Sequence, residues 1–358
     1  MFVAWRDLKF AKGRFALMGT VVVLITLLVG LLSGLTAGLG RQNVSAITGL
    51  PADKIVFGGG GEKLSYADSA VTAGQQRQWA RTPGVAAAEP LGITTVKATA
   101  GGKSAGVSAF GVEPGSGLAP DSGKLGDRSV VLSGPAADDL GLRPGDHVTL
   151  GGHELAVAAV RGDASFSHLP VIWTSLGTWR TLAPPAGDAT VLALTTSSDE
   201  GTVDTAAADR AAGTRTVATG DSLSAIGSYT SENGSLQLMR GFLFVISALV
   251  VGAFFTVWTI QRSGDVAILK ALGAGTATLV KDALGQAVVL LAGGTLIGTG
   301  LAVGLGAVLA GSAVPFRLDP ATVLVPAAVL IALGALGAVL AVRRITSVDP
   351  LTALGSAR

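Results

Sequence analysis

Cysteine is missing from all 358 residues, which excludes disulfides, thiolate metal sites and a cysteine nucleophile. Histidine is scarce: His147, His153 and His168 are the whole set, and no two of them have the spacing of a helical zinc pair. No H-E-x-x-H helix and no G-x-S-x-G nucleophile elbow is expected, so hydrolase chemistry is without support. The string GGGGEK at 58–63 falls short of a phosphate-binding loop, because Glu62 stands where that pattern needs glycine and Leu64 where it needs serine or threonine. The chain is therefore expected to carry no ATP site, no intrinsic cofactor and no enzymatic activity of its own. Charge is scarce as well: 14% of residues are charged against 49% hydrophobic, and the mean hydropathy of +0.57 is too apolar for an ordinary soluble protein.

What the sequence does have is four long uncharged windows, at 15–40, 241–261, 283–316 and 320–342. Each reaches the roughly 20 residues needed to cross about 30 Å of hydrocarbon. Basic residues gather at three sites: Arg6, Lys9, Lys12 and Arg14 before the first window, Arg262, Lys270 and Lys281 between the second and third, and Arg343, Arg344 and Arg358 after the fourth. The positive-inside rule makes those sites cytoplasmic, which puts both termini inside the cell and residues 41–235 outside. That insert holds 14 Lys and Arg against 19 Asp and Glu, a composition that does not argue against export, because long translocated domains escape the rule. The first window is longer than a signal-peptide core and has no convincing cleavage site, so it is expected to stay as a membrane span.

The organisation expected is a membrane α-helical protein with four transmembrane helices and a mixed α+β extracytoplasmic domain inserted between helices 1 and 2. An amphipathic inner-leaflet helix and the first span occupy 1–40, the outer domain and its stalk 41–235, and the second span 236–261. A cytoplasmic loop helix follows at 262–278, then the third span at 279–314, an outer turn at 315–319, the fourth span at 320–342 and a cytoplasmic tail at 343–358. Within the outer domain, Gly101 with Gly102 and Gly151 with Gly152 read as hairpin turns between alternating strands. Residues 199–221 read as helix and loop, and 222–239 as a helical stalk.

Three clusters stand out as functional candidates. Gly30, Gly34 and Gly38 recur every four residues in the first span and would let another helix approach closely. In the loop QRSGDVAILKALG, Val266, Leu269, Ala271 and Leu272 offer an apolar face at helical spacing while Arg262, Asp265 and Lys270 stay polar, ahead of Gly273. Such a face suits a protein partner. Glu232 stands with Tyr229 just before the second span, and Met239 lies further along. A solvated interfacial acid is the simpler account of Glu232; a ligand site is the sharper one, since an ionisable group at a membrane boundary is costly to bury without a partner. Leu31, Leu35, Leu236 and Phe242 are the expected apolar walls of that site, with Tyr229 and Met239 as reserve ligands.

The loop RSGDVAILKALG at 262–273 and the tail DPLTAL at 349–354, with the order of one span, a large outer domain and three spans, resemble the FtsX/MacB-type permeases of ABC transporters. RPGDHVTL at 143–150 is similar to a turn and strand of that family's outer domain. Asp265 replaces the family's usual glutamate. The resemblance implies a homodimer in the plasma membrane, paired with separate cytoplasmic ATPase subunits that dock on the loop helix, with lipid and no nucleic acid as the other contacts. The approach to the first span and the VDPLTALG end look most like the Gram-positive haem-exporter branch, which implies efflux of an amphipathic substrate such as haem. The alternative within the same fold is a regulatory subunit that transmits force to an extracytoplasmic enzyme and transports nothing.

Overall fold

The computed structural model describes residues 12–59, 63–182, 186–197, 203–261, 264, 268, 273, 275–309 and 314–346. The chain divides into two compact units, one of Leu39–Gly234 and one of Met1–Gly38 with Ser235–Arg358.

Four helices are long and apolar enough to cross a membrane. They are α1 (Lys12–Thr48), α6 (Tyr229–Gln261), α7 (Thr276–Leu309) and α8 (Pro320–Thr346). All four outrun their apolar windows, α1 and α6 by the most. Helix α1 continues past Gly40 to Thr48 because Ala46 and Ile47, fully or nearly buried, join the core of the Leu39–Gly234 unit. Helix α6 starts at Tyr229, twelve residues ahead of the uncharged run, in a polar first turn. In the membrane unit, glycine sets how near the backbones come. A Cβ on Gly30 would sit 2.8 Å from Ala302 Cβ, and one on Gly298 would sit 2.6 Å from the carbonyl oxygen of Val23, so α1 and α7 meet backbone to backbone.

Between α1 and α6 the chain forms β1 (Lys54–Gly58), α2 (Ala73–Trp79), β2 (Val85–Ala100), β3 (Lys103–Val112), β4 (Ser129–Leu132), α3 (Gly134–Leu140), β5 (His147–Leu150), β6 (His153–Val160), β7 (Ser165–Phe166), β8 (Leu169–Ser175), α4 (Leu176–Leu182), β9 (Val191–Thr196), α5 (Thr205–Ala212) and β10 (Thr214–Ala218). Strand order is β10-β1-β9-β2-β3-β8-β4-β6-β5, and β2 also pairs β5 through Ala98 with Leu150 and Thr99 with Thr149. The path from β2 through β3, β8, β4, β6 and β5 therefore closes on itself as a six-stranded barrel. Inside it lie Val107, Val130, Leu132, Val148, Leu150 and Ile172, with Ala136, Ala137 and Leu140 of α3 in the same cluster. The two glycine hairpins are where the sequence puts them, because each turn joins strands directly across two left-handed glycines. Residues 199–221, read as helix and loop, contain β10, whose register with β1 runs from Lys54 opposite Ala218 to Gly58 opposite Thr214. Its half-exposed, polar sequence TRTVA hides an edge strand from any reading based on alternation.

The long strand β2 serves both the barrel and the layer of β9, β1 and β10. Where it passes between them, Gly92 is paired with Gly111 of β3, and the indole of the buried Trp179 lies on that glycine pair. A Cβ on Gly92 would come within 2.3 Å of the ring and one on Gly111 within 2.4 Å of Trp179 Cβ. Gly111→Val is expected to unseat Trp179 and destabilise the protein by about 2–3 kcal/mol, the usual scale of overpacking. Chemical unfolding of the full chain checks this, and an unchanged midpoint would remove the packing role. A second cluster joins Ile47, Phe57, Phe110, Phe166 and Trp173 around Tyr66, whose hydroxyl donates to Ser222 Oγ at 2.8 Å. Burial pushes the Tyr66 phenol well above its ordinary range.

Candidate functional site

Within the Leu39–Gly234 unit three distant pieces of chain converge: the C-terminal end of α1, the turn between β7 and β8, and the first turn of α6. The turn is two residues long, Ser167 and His168, since Phe166 pairs with Leu169. Both residues have positive φ, 50° and 64°. This is the backbone that tight hairpins ordinarily assign to Asn-Gly, and each non-glycine residue held there costs on the order of 1–3 kcal/mol. The turn is fastened to α1 by its main chain, with Ser167 N–H donating to the Asn43 carbonyl at 2.9 Å and His168 N–H to the Gln42 carbonyl at 3.2 Å. Ser45 Oγ adds two bonds, accepting from Ser165 N–H at 2.8 Å and donating to the Ser165 carbonyl at 3.3 Å. An exposed ion pair, Arg41 with Asp163 at 2.9 Å, flanks the same contact.

Glu232 completes the cluster. Its Oε2 lies 2.6 Å from His168 Nε2 and 3.0 Å from Asn43 Nδ2. A carboxylate only accepts, so the imidazole donates its Nε2 hydrogen. Asn43 is buried, and its amide also donates to Ser228 Oγ at 3.2 Å, which ties it to the residue just ahead of α6. Glu232 lies in the first turn of α6, a position where the unpaired N–H groups of a helix commonly meet an acidic side chain. The Glu232 side chain keeps 43% of its surface exposed and that of His168 32%, so the group is reachable from solvent.

Of the other residues singled out in the sequence, Tyr229 shares the first turn of α6 and is half-buried against the aromatic cluster. Met239, Leu236, Phe242, Leu31 and Leu35 belong to the membrane unit. There Met239 and Phe242 are exposed and the three leucines are half-buried. The apolar groove described in that unit, about 790 Å³, runs between α6 and α8 along Phe244, Leu249, Leu333, Leu336 and Leu340. None of the four expected wall residues lines it. Gly34 and Gly38 lie under Phe316 and Pro315, and Gly34 also accepts a hydrogen bond from Arg317 N–H at 3.1 Å. Among the loop residues, Arg262, Asp265, Val266, Leu269, Lys270, Ala271 and Leu272 fall outside the described residues; Gly273 has φ 92°, a backbone that favours glycine.

His168 and Asn43 are the residues that sequence reasoning did not find. They stand 64 and 189 residues from Glu232, and only the fold brings them to it. No local signal marked them: His168 stands at a hairpin position only once the pairing of Phe166 with Leu169 is known. Elsewhere in the unit a polar groove of about 900 Å³ is lined by Asp127, Arg128, His147, His153, Glu154 and Thr178. No group of three metal-ligating side chains converges among the described residues. Ser104 sits in a G-x-S-x-G string at 102–106, but it lies on β3 after a hairpin and not at a strand-to-helix turn, so it is no nucleophile elbow.

Four apolar helices with a barrel-containing α+β domain inserted between the first and second define a multi-pass membrane protein with one large extramembrane unit. Residues 15–213 match the MacB-like periplasmic core domain and residues 238–350 the FtsX-like permease C-terminal domain. The chain belongs to the FtsX- and MacB-like permeases of ABC transporters, a family of transport subunits. It is 25% identical, over 99% of both chains, to a Staphylococcus haemolyticus protein named, provisionally, as the hemin transport system permease protein HrtB. An uncharacterized ABC transporter permease of Mycobacterium tuberculosis is 24% identical over 99% of both chains. Among solved structures, the periplasmic region of MacB from Actinobacillus actinomycetemcomitans matches with a TM-score of 0.38 and 13% identity, covering 50% of this chain and 94% of that one.

Proposed function

We propose that this permease works as a homodimer with a separate cytoplasmic ATPase subunit and expels an amphipathic substrate, haem foremost, from the plasma membrane. The observation that carries the reading is Glu232: an accessible carboxylate, fixed in the first turn of a helix that continues into a membrane span, with one oxygen held by two donors. An oxygen ligand of that kind suits ferric iron, and the name of the staphylococcal relative points to the same substrate. Leu31, Leu35, Leu236 and Phe242 are offered as apolar contacts for a porphyrin, and Tyr229 and Met239 as reserve ligands. In this reading both termini and the 262–273 loop face the cytoplasm, where Arg262, Asp265, Val266, Leu269, Lys270, Leu272 and Gly273 meet the ATPase. Membrane lipid surrounds the four spans.

The test is hemin titration of the purified protein in nanodiscs, followed by its absorption spectrum and by ATPase assays with the partner subunit. Glu232→Ala is expected to bind hemin at least about tenfold more weakly, to shift the Soret band and to lose hemin-stimulated hydrolysis. The same spectrum and affinity as the parent would remove Glu232 as the ligand. Absence of saturable binding in the parent would remove haem, and normal ATPase coupling without any exported substrate would favour force transmission to an outside partner.

A further inference from the structure

We infer that His168 is a positioning residue for the Glu232 carboxylate: with Asn43 it anchors Oε2 and leaves Oε1 presented as the atom that takes the substrate's metal. The inference rests on the reading of Glu232 as a substrate ligand and adds to it the residues that aim it.

The turn itself is the first ground. Glycine or asparagine would occupy the left-handed position of residue 168 at less strain, and a histidine placed there gains little from packing, since its side chain remains a third exposed. What the imidazole does make is the 2.6 Å hydrogen bond to Glu232 Oε2. The second ground is the platform. Main-chain bonds from Ser167 and His168 to the Asn43 and Gln42 carbonyls fix the turn against α1, so the imidazole cannot drift with the loop. Asn43 Nδ2, buried and held by Ser228, supplies the other donor from α1. Two donors on one oxygen, from two elements that are themselves tied together, stop the carboxylate rotating about its last bond. The third ground is what remains: among the described residues no hydrogen-bond donor reaches Oε1, and the side chain is 43% exposed. A ligating carboxylate whose second oxygen is hydrogen-bonded is the usual construction of a metal-binding acid, and loss of such a partner weakens metal binding about 10–100-fold. The substrate class is a metal-bearing amphiphile whose iron accepts a hard oxygen ligand.

The experiment compares His168→Gly and His168→Gln with the parent, each in nanodiscs, by hemin titration, absorption spectrum and thermal unfolding. Glycine fits the left-handed backbone, so His168→Gly is expected to unfold at or above the parent's temperature while binding hemin about 10–100-fold more weakly with a shifted Soret band. Glutamine carries an amide donor of similar reach and is expected to restore most of the affinity and the parent spectrum. A His168→Gly protein that binds hemin like the parent would overturn the positioning role while leaving Glu232 as ligand. Failure of His168→Gln to restore binding, with Glu232→Ala binding normally, would make the imidazole the ligand and overturn it too. A parent that binds no hemin overturns the reading of Glu232, and this inference with it.

Discussion

Replacing both Leu269 and Leu272 by aspartate is expected to abolish capture of the ATPase subunit and substrate-stimulated hydrolysis while the permease still reaches the membrane. Helical spacing in the sequence would put the two leucines on one face with Val266, in the segment between α6 and α7, so a partner seated there would be linked to two membrane helices at once. Burying a leucine against a partner contributes about 1.5–3 kcal/mol. Losing two such contacts would weaken docking by roughly 10²–10⁴-fold, and each introduced carboxylate adds the cost of desolvating a charge with no counterpart. Lys270→Ala, on the polar side, should change co-purification little, since an exposed ion pair is worth at most about 1 kcal/mol. Pull-down of the ATPase from co-expressing cells, with its hydrolysis rate in nanodiscs, measures both. A double aspartate variant that still captures the ATPase and responds to substrate would sink the docking role.

How much of this was readable before the fold was known depends on the range of the interaction. The four spans were legible because lipid demands an unbroken apolar run, and the glycine hairpins because a two-residue turn is written in adjacent letters. The barrel was not, since its closure rests on Ala98 and Thr99 of β2 meeting Leu150 and Thr149 of β5, and on β3 running parallel to β8, pairings that leave no local mark. The same limit divides the site. Glu232 could be picked out by its place at a membrane boundary, but Asn43 lay beyond the apolar window in which α1 was expected to end, and His168 looked like any loop histidine. What makes His168 informative is the cost of its backbone, and that cost appears only when φ is known.

The glycine stripe of α1 leads to the other large effect. A Cβ placed on Gly38 would lie in hard collision with the Pro315 carbonyl oxygen, at 1.9 Å, and a backbone atom in a turn cannot swing aside as a side chain can. At Gly34 the obstacle is the Phe316 ring at 2.3 Å, and at Gly30 the Ala302 methyl at 2.8 Å. Substitution by alanine should therefore hurt most at Gly38, where the obstacle is backbone, less at Gly34, where it is a side chain, and least at Gly30, where the contact is longest. Phe316 has little room to retreat, because a Cβ on Gly306 of α7 would meet the same ring at 2.3 Å, so the ring is clasped between two glycines. Gly34→Leu is expected to eject it, to strain the hydrogen bond from Arg317 N–H to the Gly34 carbonyl, and to cost about 3 kcal/mol, the upper end for overpacking. Gly19 is the internal control: nothing lies within 4 Å of its would-be Cβ, so Gly19→Ala should be neutral or gain up to about 1 kcal/mol from helix propensity. Thermal unfolding of the series in detergent, with a substrate-efflux assay in cells, gives the order. If Gly38→Ala and Gly34→Leu unfold, assemble and transport like the parent, the close approach of the 315–317 segment to α1 has no part in holding the bundle.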